Sequence, residues 1–131
     1  MKNKTIAELK KIKPVFIDER TGLTKKVSTL IFNKKIKDFD AEDIAVLISQ
    51  SMYLDICIPM ALEILREDPM IEDNYYPGDL LTFVLSVPLS FWQENLRLKE
   101  EIESIFISNK DFILQFDVID EIKYDIIKLF E

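Results

Sequence analysis

Two carboxylate pairs stand at a spacing that acid–base chemistry can use. Glu63 with Glu67, and Asp117 with Glu121, are each four residues apart, which a helix turns into one face. A glycosidase-like reaction needs two carboxylates across a cleft at a set separation. Nothing around either pair marks out a cleft, and like charges at this spacing are the ordinary pattern of a solvated helix face. Other chemistry-bearing types are scarce. The 131 residues include no histidine, one cysteine and two glycines. Without histidine there is no Ser-His-Asp or Cys-His catalysis, no imidazole base and no histidine metal site. The Glu-x-x-His pattern of di-metal bundles is missing for the same reason. One cysteine supports neither a disulfide scaffold nor a thiolate zinc site. Two glycines leave no phosphate-cradling loop. Asp38, Asp40 and Asp43 are too few and wrongly spaced for a calcium loop and read better as helix caps. The expectation is a protein that is no enzyme, with no cofactor and no metal.

Binding offers more. The stretch from 67 to 79 carries Glu67, Asp68, Glu72, Asp73 and Asp79 with no Lys or Arg, and Tyr75 and Tyr76 sit among them. Tyrosine supplies contact area at low entropy cost, and carboxylates pair with Arg and Lys, so these seven residues form a candidate protein interface. The competing reading is a solvated turn with Tyr76 packed inward and Asp79 capping the next helix. The charge is also unevenly spread. Residues 1–37 hold eleven basic residues against three acids, or +8, whereas residues 38–131 hold six against twenty-one, or −15. Either the basic segment meets nucleic acid or an acidic surface, or it lies against the chain's own acidic body. Its only aromatics are Phe16 and Phe32, which is poor equipment for stacking bases. An acidic body repels nucleic acid and attracts a basic protein, so no nucleic-acid partner is expected.

Helices must position these groups. Thr5-Ile6-Ala7-Glu8 has capping-box spacing and opens a short helix closed at Lys13-Pro14. Residues 14–22 read as loop or a short extended piece. Leu23, Val27, Leu30 and Ile31 then recur at i, i+4, i+7 and i+8, one helical face. Asp40 opens a helix with Ile44, Leu47, Ile48 and Ser51 as its inner stripe. Pro59 suits the first turn of a helix through Leu65 that ends before Pro69. Asp79 caps a helix through Leu85, stopped by Pro88. Ser90-Phe91-Trp92-Gln93 repeats the capping-box spacing and starts a long helix to about Ile107, broken by residues 108–111. From Val118 onward the pattern is again an amphipathic helix. Trp92 reads as a core anchor, and Cys57 as a buried reduced thiol. The sum is an all-α fold, a compact single-domain bundle of six to seven short helices over 1–131, a length natural for one domain. No apolar run reaches the ~20 residues of a membrane span. No signal peptide is legible after Met1, so no membrane partner and a cytoplasmic location are expected.

One block of the chain carries a resemblance. It runs from Phe39-Asp40-Ala41-Glu42-Asp43-Ile44-Ala45-Val46-Leu47-Ile48-Ser49-Gln50 through Ile58-Pro59-Met60-Ala61-Leu62-Glu63-Ile64-Leu65 and Asp68-Pro69. It closes with Tyr76-Pro77-Gly78-Asp79-Leu80-Leu81, Val84-Leu85 and Phe91-Trp92. The block, about residues 30–95, resembles the immunity proteins of bacterial contact-dependent growth inhibition (CDI) systems, the CdiI family. Departures include Asp68 where the family often has Asn, and no tryptophan near the N-terminus. These bear on the subgroup and so on which toxin is cognate. The resemblance implies a cytoplasmic monomer in a 1:1 complex with the C-terminal toxin domain of a cognate CdiA effector. Many such toxins are nucleases with basic substrate surfaces, which the −15 body suits. The alternative is a helical adaptor or regulator that binds a basic protein partner outside any toxin system.

Overall fold

The structure, a computed structural model, describes residues 2–13, 22–73 and 76–113. The expectations for residues 14–21, for Tyr75, for the Asp117/Glu121 pair and for a helix from Val118 onward lie outside these residues. Among the described residues the fold is all-α. The helices are α1 (Ile6–Lys10), α2 (Gly22–Phe32), α3 (Ala41–Ser49), α4 (Leu54–Glu67), α5 (Asp79–Leu85), α6 (Leu89–Glu94), α7 (Leu96–Ser108) and α8 (Lys110–Ile113), with a 3-10 turn at Ile36–Asp38.

Two of the helix starts follow from local chemistry. At α1, Thr5 Oγ1 accepts the Glu8 N–H and Glu8 Oε1 accepts the Thr5 N–H, both at 3.1 Å. This reciprocal box satisfies two orphan donors and holds the Glu8 carboxyl below its ordinary value through the Thr5 backbone bond. Asp40 and Asp43 make the same box at α3. Helix periodicity then sets the inner faces. Ile44, Leu47 and Ile48 of α3 meet Ile58, Leu62 and Leu65 of α4 and Leu80, Leu81 and Val84 of α5 in one buried cluster. The α3 helix packs on α2, α4 and α5, and α4 also packs on α7. Burying each such side chain contributes about 1.5–3 kcal/mol. Trp92 anchors the far side at 1% exposure, edge-on to Phe91 with ring centroids 5.3 Å apart. Its Nε1 has no hydrogen-bond partner among the described residues. Cys57 is fully buried, and burial pushes its thiol up to about 12, as an inert core cysteine requires.

The helix boundaries differ from the sequence expectation in several places. Pro59 lies at the sixth position of α4, not in its first turn. Cys57 and Ile58 share the inner face with Ala61, Leu62 and Leu65, so their burial draws the helix back to Leu54. Ser51 is exposed with φ 53° beyond the end of α3, so the inner stripe stops at Ile48. The long helix expected from Ser90 begins at Leu89 after Pro88 and is cut at Asn95. There the Asn95 Nδ2 donates to the Phe91 carbonyl at 2.8 Å, a side-chain bond that competes with the backbone ladder. The break expected over 108–111 is confined to Asn109, whose Nδ2 bonds the Ile105 carbonyl in the same way.

Candidate functional site

The acid-rich stretch leaves the end of α4 and returns at α5 as a tied loop. Gly78 has φ 86°, a left-handed conformation that glycine adopts without steric cost. This turn lets the Gly78 N–H reach the carbonyls of Met70 and Ile71 at 3.1 and 3.2 Å. Glu72 and Pro77 face each other in an isolated bridge. Pro69 and Met70 are buried under the loop. Asp79 was expected to cap α5 or to contact a partner, and the structure corrects the first point. Gly78 is the cap residue and Asp79 the first residue of the helix. The Asp79 side chain is fully buried, with Oδ1 accepting the Asp73 N–H at 2.9 Å and the Leu80 N–H at 2.8 Å. Its carboxylate therefore shapes the loop from inside.

The other expected residues divide cleanly. Glu67, Asp68 and Glu72 are exposed, whereas Asp73 and Tyr76 are half-buried. Asp73 reports what surrounds it. Its carboxyl is raised above the ordinary value, first by burial and then by the charges of Asp79, Glu42, Asp40 and Asp43. The α3 helix packs on α5, the helix into which the loop leads. Asp40 and Glu42 are exposed at the start of α3. In sequence the acids at the start of α3 read only as helix caps, and no local signal joins them to residues thirty positions later.

Asp43 faces inward instead. It is fully buried, accepts Lys26 Nζ at 2.7 Å and Lys34 Nζ at 2.6 Å, and takes the Asp40 N–H at 3.1 Å. Burial alone would raise its carboxyl, but the two ammonium groups and the backbone donor outweigh that and hold it below its ordinary value. Asp43 in turn holds Lys26 raised. Elsewhere Lys10 pairs with Asp55, and Lys2 stands 4.0 Å from Glu63. Four lysines of the basic segment are thus turned onto the chain's own acidic body. Glu63 and Glu67 are both exposed. Among the described residues no group of three or more Cys, Asp or Glu is arranged to hold a metal. No described helix is long and apolar enough to cross a membrane.

A family model described as CDI immunity proteins matches residues 3–102. The chain belongs to this family. The match is wider than the block that carried the resemblance, taking in α1, α2 and the first half of α7. No curated protein and no solved structure matches this immunity protein. The structure also shows what the family-like residues do. Ile58, Ala61, Leu62 and Leu65 are core, as are Leu80, Leu81 and Val84, and Gly78 supplies the turn between them. They build the platform on which the exposed acids of this CDI immunity protein stand.

Proposed function

We propose that this CDI immunity protein binds the C-terminal toxin domain of a cognate CdiA effector, a nuclease, and neutralises it by occlusion. The binding surface is the loop face of Glu67, Asp68, Glu72, Asp73 and Tyr76, continued by Asp40 and Glu42 at the start of α3. Tyr75, adjacent in sequence, is proposed with them. Asp79 serves the surface from beneath. The observation that carries the reading is the match of residues 3–102 to the CDI immunity family, joined to the exposed carboxylates of Asp40, Glu42, Glu67, Asp68 and Glu72. Such a field speeds encounter with a basic surface and rejects partners of like charge. The protein acts in the cytoplasm as a monomer in a 1:1 complex and performs no chemistry of its own.

The test is co-expression with the C-terminal domain of a cognate CdiA effector, to be sought as a large adhesin gene next to this one. Cells carrying both should grow, and cells carrying the toxin domain alone should stop. Continued arrest in the presence of the folded immunity protein would refute the reading. Capture of a different basic protein, with no rescue, would favour an adaptor.

A further inference from the structure

A groove of about 260 Å³ opens between the N-terminal residues and the outer face of α4. Ile56, Pro59 and Met60 of α4 line it, with Leu9 of α1 and Ile36 of the 3-10 turn. Two carboxylates bracket this apolar lining. Asp55 and Glu63 both border the groove, eight residues and so about 12 Å apart along the helix. Both are well exposed, at 58% and 65%. Asp55 is closely paired with Lys10, which leaves Glu63 as the more available of the two. Pro59 adds a further acceptor. It has no N–H, so the Asp55 carbonyl lacks its i+4 helical donor at the groove.

An apolar channel ending in carboxylates suits a side chain with an aliphatic stem and a cationic head. The chain's own Lys2 already lies there. It lines the groove and points its ammonium toward Glu63, but at 4.0 Å and with both groups exposed it holds the place loosely. One helical turn beyond Glu63 is Glu67, the first acid of the proposed toxin-binding stretch, so the groove and that surface run together along α4.

We propose that this groove receives a lysine or arginine side chain of the toxin domain, which displaces Lys2 and pairs with Glu63. The inference rests on the toxin-binding reading and adds to it a pocket that sets residence time, distinct from the acidic loop that sets encounter. The two fail separately in one experiment, binding of the full-length immunity protein to the immobilised toxin domain, with rates resolved. Glu63→Lys and Met60→Ala should each speed dissociation by about threefold or more, since one exposed ion pair alone is worth up to about fivefold in an equilibrium constant. Lys2→Ala should slow dissociation, because the competitor is gone. If the Lys2–Glu63 contact served only the fold, Lys2→Ala would weaken the complex or leave it unchanged. Thermal melts followed by circular dichroism establish that each variant is folded. Unaltered dissociation in all three variants overturns the groove and leaves the toxin-binding reading standing. Self-association of the free protein that Met60→Ala abolishes assigns the groove to a second copy and overturns it as well. Failure of the unaltered protein to bind the toxin domain overturns both.

Discussion

Replacing Asp43 by asparagine tests how the basic segment is held. The side chain is fully buried and receives two ammonium groups at 2.6 and 2.7 Å. At an effective dielectric near 20, two unit charges about 3 Å apart attract by about 5 kcal/mol. Most of that is cancelled by the several kcal/mol needed to take a carboxylate out of water. The lysines are each about one-third exposed, at 37% and 33%, so they can turn partly back to solvent when their partner is lost. The asparagine side chain keeps the shape and one oxygen for the capping box, which limits the loss from that source. Asp43→Asn should therefore cost about 2–3 kcal/mol, below the ~3–5 kcal/mol typical of breaking a fully buried pair. Lys26→Met and Lys34→Met should each cost about 1 kcal/mol, because the other lysine still holds the carboxylate. The measurement is urea unfolding with the m-value checked for constancy. Asp43→Asn combined with Lys34→Met should cost clearly less than the two changes summed. The acid limb gives an independent sign. The Asp43 carboxyl is held below its ordinary value of 3.8, so its contribution is complete above that pH. It disappears as pH falls through the lower folded value. The stability of Asp43→Asn should therefore be flatter in acid than that of the parent. A cost within ~0.5 kcal/mol, or strict additivity with the lysine changes, would refute the reasoning.

Three further outcomes are expected. Glu67→Lys with Glu72→Lys, both at exposed positions, should slow association with the toxin domain and leave the thermal melt nearly unchanged, since surface substitutions usually stay within ~0.5 kcal/mol; an unaltered association rate moves the interface elsewhere. Because the Asp73 carboxyl is raised by burial and neighbouring acids, toxin affinity should begin to fall on acidification above 3.8. Calorimetric titration between about pH 4 and 7 should show that Asp73→Asn blunts this fall. Cys57, fully buried with its thiol pushed up to about 12, should react with a thiol reagent on the order of 100-fold more slowly in the native protein than in denaturant.

Much of this protein is legible in its sequence. The capping box at Thr5, the cap at Asp40, the apolar stripes of α3 and α4, the turn at Gly78 and the burial of Trp92 and Cys57 all follow from spacings within a dozen residues. These are local relations, and a helix converts them directly into faces and ends. The absence of histidine likewise needs no coordinates to exclude whole classes of chemistry. The family-like block was readable for the same reason, since its residues are the caps, turns and core of adjoining helices.

Tertiary structure decided the rest, because it concerns groups distant along the chain. Burial of Cys57 and Ile58 against the core, not the proline rule, set where α4 begins. Asp43 looked like one more capping acid until packing of α2 on α3 brought Lys26 and Lys34 to it. Asp79 looked like a surface acid until the loop closed over it. The charge asymmetry shows the division most plainly. The sequence counts +8 against −15. Only the fold shows that lysines of the first segment pair with acids of the second. Charge is a sum over residues and can be read from a string, whereas a field depends on distances that helix packing alone creates.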